Sequence, residues 1–249
     1  MTKAEIAPAW ITKALEDYLE TIFLLVRDHG FARVRDIASA RKVKASSVSP
    51  ALKRLAEQGL VRYVQREYVG LTEQGTHEAR RVLARHELLT RFFRDVLRMP
   101  AEAADQEACA IEHCLTAEAM NRLARFFEFS CAYPESHRAW QEKFLTFDRG
   151  QDCEPDGRAV CAEDSPSKAG TVERVMSVSD LKPGQQGIVR QVNAKGAIRQ
   201  RLLDMGLLPD VVLRVERVAP VGDPVWISLH GSQLALRRKE AKTVLISKV

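Results

Sequence analysis

Charged groups set among apolar helix residues constrain this 249-residue chain more than any other feature of its sequence. The stretch Cys109-Ala-Ile-Glu112-His113-Cys114 puts a thiol, a carboxylate and an imidazole at i, i+3 and i+4, on one face of a helix. These are the side-chain types that hold divalent transition metals. Upstream, Asp17 and Glu20 stand at i and i+3 within the apolar run of Leu15, Tyr18, Leu19, Ile22 and Phe23, and His86 lies in another helix-like stretch. Carboxylates and a histidine on apolar faces are costly unless something pairs with them, and a shared cation would do so. For the central three residues taken alone, a plainer reading stays open: a helix packed through Ile111, Leu115 and Met120, with Glu112 and His113 facing water.

The length accommodates two or three domains, each with its own core. No run approaches eighteen apolar residues, and the start (Met1-Thr-Lys-Ala-Glu-Ile) lacks the basic-then-apolar layout of a secretory signal. A cytoplasmic chain with no membrane partner is expected. Five cysteines are too few for a disulfide scaffold in a chain this long, and the odd count points to free thiols or ligands. The net charge of +5 is mild, but residues 33–66 hold nine Lys or Arg against only Asp36 and Glu57. That local excess attracts a polyanion.

Helical spacing runs from Ala14 to about His29, where Gly30 fits a C-cap, then from Val34 to Arg41, then from Ala45 to Gly59 with Val48, Leu52 and Leu55 inward. Serine near the start of the third helix fits an N-cap, and Pro50 falls within or just past its first turn. Residues 60–64 and 68–72 read as two strands joined by a turn at Gln65-Arg66-Glu67. Three helices and a basic hairpin make the winged helix-turn-helix plan, whose third helix enters the major groove of double-stranded DNA. Ser46, Ser47, Ser49 and Lys53 suit base edges and backbone oxygens, Arg62 and Arg66 suit the wing, and Arg33, Lys44 and Pro50 complete the candidate contacts.

Further helices are expected over residues 73 to about 100, through Cys109–His113, and over Thr116 to Phe129, with Trp140, Phe144 and Phe147 on another. Such apolar helices after a DNA reader suggest a dimerisation domain, because a two-fold binder reads paired half-sites. Asp148 to Asp164 carries six acidic residues against two arginines and reads as a tether. It holds Cys153 and Cys161, with Cys131 upstream, at spacings that favour unbound or redox-vulnerable thiols over a second metal site. From about Val172, short β-like runs (187–192, 211–215, 225–229, 234–236 and 243–246) and one helical insert at 197–205 suggest a small barrel, with His230 as a turn residue. No phosphate loop, nucleophile elbow or HExxH is present, so an enzyme is not expected.

Residues 14–129 resemble the diphtheria-toxin-repressor and manganese-repressor family, on Leu15-Glu-Asp17-Tyr-Leu-Glu20, Val34-Arg-Asp-Ile-Ala38, Ser46-Ser-Val-Ser-Pro-Ala-Leu-Lys-Arg-Leu55, Arg85-His86-Glu-Leu-Leu89 and Cys109-Ala-Ile-Glu112-His113. Residues 181–246 resemble the SH3-like FeoA module, on Leu181-Lys-Pro-Gly184, Arg201-Leu-Leu-Asp-Met-Gly206, Ala219-Pro-Val-Gly-Asp-Pro224 and Leu236-Arg-Arg-Lys-Glu-Ala241. The resemblances imply an α+β multidomain chain. A winged helix-turn-helix (1–75) is followed by an all-α dimerisation and metal-binding domain (76–147), an acidic linker (148–171) and a small SH3-like β-barrel (172–249). They also imply that the family's principal metal site falls on Asp17, Glu20, His86, Cys109, Glu112 and His113, while its ancillary site is matched by Thr90 and Asp105, a poor donor set. Asp17 is the residue of the manganese-sensing branch and Cys109 that of the iron-sensing branch. The thiolate and the third domain tilt the expected co-repressor to Fe(II), with Mn(II) next.

The implied function is a metal-activated, dimeric repressor of palindromic operators, in which a cation fastens the DNA-binding module to the central helices. Two other classes stay open: a metal-independent or thiol-redox-responsive DNA-binding regulator, and a metal-handling interaction protein working through the barrel. An intramolecular or peptide contact through the barrel is left open as well.

Overall fold

The computed structural model describes residues 11–63, 68–148, 175–229 and 231–248. Arg66, Cys153, Cys161, His230 and nearly all of the expected linker lie outside these residues.

The first module is built from α1 (Lys13–His29), α2 (Val34–Ala40), α3 (Ala45–Glu57) and the antiparallel strands β1 (Val61–Tyr63) and β2 (Val69–Leu71). Gly30 at φ +78 ends α1 in the left-handed cap conformation that favours glycine. Leu19, Ile22, Ile37, Val48, Leu52 and Leu55 interlock as one core. The serine N-cap expected for α3 is corrected. Its N-cap is Lys44, without a side-chain cap bond, and the serines stand inside the first turn. Pro50 is the sixth helical residue, so Ser46 loses the backbone donor that a residue at 50 would otherwise supply.

The long helix expected over 73–100 is two pieces. α4 (Glu73–Arg91) gives way to a π-helical turn at Phe92–Val96, and Arg98 at φ +58 leads into Pro100. α4 is the spine of the molecule. Ala79 and Leu83 join the first core, while Ala84 and Leu88 on another face join the second. Then follow α5 (Ala101–Ile111), a 3₁₀ turn at Glu112–Cys114, α6 (Ala117–Ala132) and α7 (Pro134–Asp148).

The last module is a six-stranded antiparallel sheet of order β3-β8-β4-β5-β6-β7, from β3 (Val175–Ser177), β4 (Gln186–Val192), β5 (Val212–Val218), β6 (Val225–Leu229), β7 (Ser232–Leu236) and β8 (Val244–Lys248). It also carries α8 (Gly196–Asp204) and the short α9 (Arg238–Ala241). Register shifts at Val189/Gln191 and Val215/Arg217 mark the irregularities that bend such a sheet. Its core is continuous with that of the central helices: Val189, Leu202, Leu213 and Ile227 belong to one apolar cluster with Leu88, Met120, Ala124 and Phe127. The barrel is therefore seated on α4 and α6. No helix among the described residues is long and apolar enough to cross a membrane.

Candidate metal centre and DNA interface

Two segments distant in sequence meet where the first module abuts the central helices. Lys13 Nζ donates to the carbonyls of Cys109 (3.3 Å) and Ala110 (3.2 Å), tying the start of α1 to the end of α5. A cation there suits the C-terminal carbonyls of a helix. One turn along α1, Asp17 points at the 3₁₀ turn that carries Glu112 and His113.

His113 Nε2 lies 2.9 Å from Asp17 Oδ1 and 3.3 Å from Glu112 Oε1. All three atoms are buried, and beyond these ion-pair approaches to one another none makes a hydrogen bond to any other group. Asp17, Glu112 and His113 each offer a ligand atom within 4.8 Å of the others. Buried polar atoms are normally satisfied, so three orphans facing one another call for a further group. Two carboxylates and an imidazole are a donor set for a divalent cation.

A second tier surrounds the three. Glu112, wholly buried, sends its Oε2 to within 2.7 Å of His86 Nδ1, and His86 Nε2 is 3.0 Å from Asp105 Oδ1. His113 Nδ1 bonds Glu16 Oε2 at 2.6 Å, which leaves Nε2 aimed into the pocket. Glu16 was absent from the expected set. Its one signal in the sequence was adjacency to Asp17, since a helical stripe cannot say which carboxylate supports an imidazole from behind.

The electrostatics are those of crowded carboxylates. Burial pushes Glu20 up to about 7, and Glu112 and Asp17 add to the rise. The hydrogen bond to Glu112 is the main reason that His86 is raised to about 9. Burial opposes the proton on His113, yet Asp17, Glu16 and Glu112 raise it to about 9. Asp17 is also disfavoured by burial, but His113 and Arg41 hold it below the ordinary carboxylate range.

The structure thus brings Asp17, Glu112 and His113 into contact, with His86 joined through Glu112. Glu20, half-buried, is within electrostatic reach of Glu112, His86 and Asp17. Cys109 is exposed at the rim, and burial, Glu112 and Asp17 raise its thiol pKa. The single helical face expected for Cys109, Glu112 and His113 is corrected here. α5 ends at Ile111, and the tighter 3₁₀ winding turns Glu112 and His113 inward, away from the line of Cys109. Thr90 has its hydroxyl buried without a partner, and Asp105 bonds His86.

On the DNA-facing module Ser46, Ser47, Pro50 and Lys53 are exposed along α3, with Lys44 at its start and Arg62 exposed on β1. Ser49 is half-buried and accepts from Tyr63 Oη at 3.5 Å. Arg33 is committed elsewhere. It donates to Tyr68 Oη at 2.5 Å, and its guanidinium lies over the rings of Phe31 and Tyr68.

Three family profiles match the chain: "Iron dependent repressor, N-terminal DNA binding domain" over residues 11–69, "Iron dependent repressor, metal binding and dimerisation domain" over 72–141, and "FeoA domain" over 176–248. An uncharacterised HTH-type transcriptional regulator of Methanocaldococcus jannaschii is 32% identical over 119 residues, 47% of this chain and 95% of that protein. The HTH-type transcriptional regulator MntR of Bacillus subtilis is 33% identical over 135 residues, 53% of this chain and 94% of MntR. Among solved structures, the crystal structure of T. acidophilum IdeR aligns with 96% of this chain and 99% of its own at 22% identity and a TM-score of 0.41.

Proposed function

The chain belongs to the iron-dependent repressor family, the metal-dependent, DNA-binding transcriptional repressors of DtxR and MntR type, which are not enzymes, and from that premise we propose that a divalent cation at Asp17, Glu112 and His113 governs its DNA binding. The observation that carries the reading is the set of three orphaned, converging atoms drawn from two modules.

When bound, a cation supplies the positive charge that lets Asp17, Glu20 and Glu112 stay ionised together. The rest falls to the chain. Asp17 rides on α1 with the DNA reader; Glu112 and His113 ride on the central domain. With their mutual repulsion relieved, both sets hold to one point, and the orientation of α3 relative to the central helices is narrowed. DNA selects that orientation, so DNA and cation each tighten the binding of the other.

The co-repressor is of the Fe(II)/Mn(II) class. A Cys109 thiolate among the ligands would favour Fe(II). With the thiol at the rim and two carboxylates with one imidazole converging, the oxygen-rich set favours Mn(II), with Fe(II) next. The functional unit is a homodimer on a palindrome. Phe129 on α6, Tyr133 between the helices and Trp140 on α7 are 55%, 55% and 46% exposed, apolar surface that a second copy would cover.

The test uses a duplex selected by the chain from a random pool in Mn(II). Affinity is followed by anisotropy at fixed salt and matched free Mn(II), Fe(II) and Zn(II), and the mass of the complex by sedimentation. Removing the cation should weaken binding by about 5–150-fold. An unaltered chain that binds equally well with chelator and with Mn(II), or a His113→Ala chain that responds to Mn(II) as strongly as the unaltered one, would refute the proposal.

A further inference from the structure

The two oxygens of Asp17 face different parts of the molecule. Oδ1 is the orphan beside His113 Nε2. Oδ2 accepts a hydrogen bond at 2.7 Å from Arg41 Nη2. Arg41 is the C-cap of α2, and the next residue, Lys42 at φ +53, makes the turn that runs into α3. The guanidinium lies 5.3 Å above the Tyr18 ring, and its Nε is buried without a hydrogen-bond partner. Asp17 and Tyr18 on α1 hold this side chain, which is 28% exposed. In the sequence Arg41 counts only as one more basic residue of a polyanion-binding surface; the fold turns it inward.

We propose that Arg41 is the positioning residue that joins the cation pocket to the recognition helix, by fixing Asp17 for ligation through Oδ1 and tying Oδ2 to the turn that starts α3. The inference rests on the metal-dependent reading above and deepens it. A planar guanidinium on a carboxylate is a strong, directional bond, and a lysine ammonium does not reproduce its geometry. With Oδ2 engaged by Arg41, ligation through Oδ1 is favoured over a grip by both oxygens. A carboxylate is rigid, so a pull on Oδ1 is felt at Oδ2, and from there at Arg41 and the backbone that leads into α3. That is a contact made differently in the loaded and empty states, as coupling requires.

The test compares the unaltered full chain with Arg41→Met, which keeps an unbranched stem over Tyr18, and Arg41→Lys, which keeps the charge. Three quantities are read for each: Mn(II) affinity by calorimetry without DNA, hydrogen exchange of residues 41–48 with and without Mn(II), and affinity for the selected duplex with and without Mn(II). Arg41→Met should still bind Mn(II) but lose the Mn(II)-induced protection of 41–48. Its ratio of duplex affinities with and without Mn(II) should fall at least about fivefold. Arg41→Lys should fall between the two, and it decides the matter if Arg41→Met melts early. If Arg41 merely touched phosphate, both duplex affinities would drop by one factor while ratio and protection stayed put, and the proposal would be overturned. An unaltered chain indifferent to Mn(II) in all three measurements would sink the repressor reading itself. A responsive unaltered chain with an equally responsive Arg41→Met would sink only the role of Arg41.

Discussion

Arg199 on α8 is 5% exposed and reaches across to α6, where its Nη2 lies 3.0 Å from Glu128 Oε1 and its Nε donates to Asn121 Oδ1 at 3.0 Å. Glu128 Oε1 also accepts from the backbone N–H of Val192 on β4 at 3.0 Å, and Arg199 Nη1 donates to the Val192 carbonyl. Arg199→Met keeps the bulk of the side chain but leaves the Glu128 carboxylate, 11% exposed, with the Val192 N–H. Breaking a buried pair on one side costs about 3–5 kcal/mol. The surviving bond to the charge offsets part of that, so the lower end, about 3 kcal/mol, is expected. Because the pair spans the seam between barrel and helices, the loss should appear as undocking. Denaturant unfolding of the full chain should show the destabilisation, and hydrogen exchange should quicken in α6 and β4. Adding Glu128→Gln should recover about 1–2 kcal/mol, since the buried charge is then gone. If Arg199→Met stays within about 0.5 kcal/mol of the unaltered chain, with exchange unchanged, the barrel is not held by this pair and the reasoning fails.

Other perturbations follow from the same geometry. His86 and His113 keep their protons up to about 9 without a cation, and binding at His113 Nε2 must displace the proton there. Mn(II) affinity should climb from pH 6.5 to about 9 and then level off, with a calorimetric heat that depends on the buffer's own ionisation; a flat profile would count against these ligands. In chelator the sign reverses. The raised histidines stabilise the fold fully below 6.5, and that contribution is lost as pH rises through about 9, which a melting series would record. Glu16→Gln replaces a carboxylate that holds His113 from behind, and Mn(II) affinity should fall about 10–100-fold by calorimetry. At Gly75 an added Cβ would lie 1.8 Å from the Leu60 carbonyl oxygen, so Gly75→Ala should cost about 2 kcal/mol or more in denaturant unfolding. Gly70→Ala on β2 meets nothing within 4 Å and serves as the tolerated control.

Much of this protein was legible from its sequence. Apolar periodicity, Gly30 and the alternation of short β-like runs depend on neighbours along the chain, and α1 to α3, the two paired strands of the first module and five of the six strands of the last module appeared where such local rules put them, while β3 did not stand out. The carboxylates and histidine on apolar faces also pointed to a common meeting place, because burying them singly is costly. What local rules could not reach was decided by packing. The 3₁₀ turn at Glu112–Cys114 turned Glu112 and His113 away from the line of Cys109, which stays exposed, since a change of winding re-aims every side chain beyond it. Glu16 was joined to His113 and Arg41 to Asp17, because hydrogen bonds at 2.6 and 2.7 Å join residues 97 and 24 positions apart. The barrel's seat on α4 and α6 likewise rests on apolar faces and on the Arg199–Glu128 pair, partners far apart in sequence that only the folded chain brings together. Sequence spacing fixes which side chains share a face of one element; which faces then meet is settled by complementary shape and charge across elements, and no single stretch of sequence contains that information.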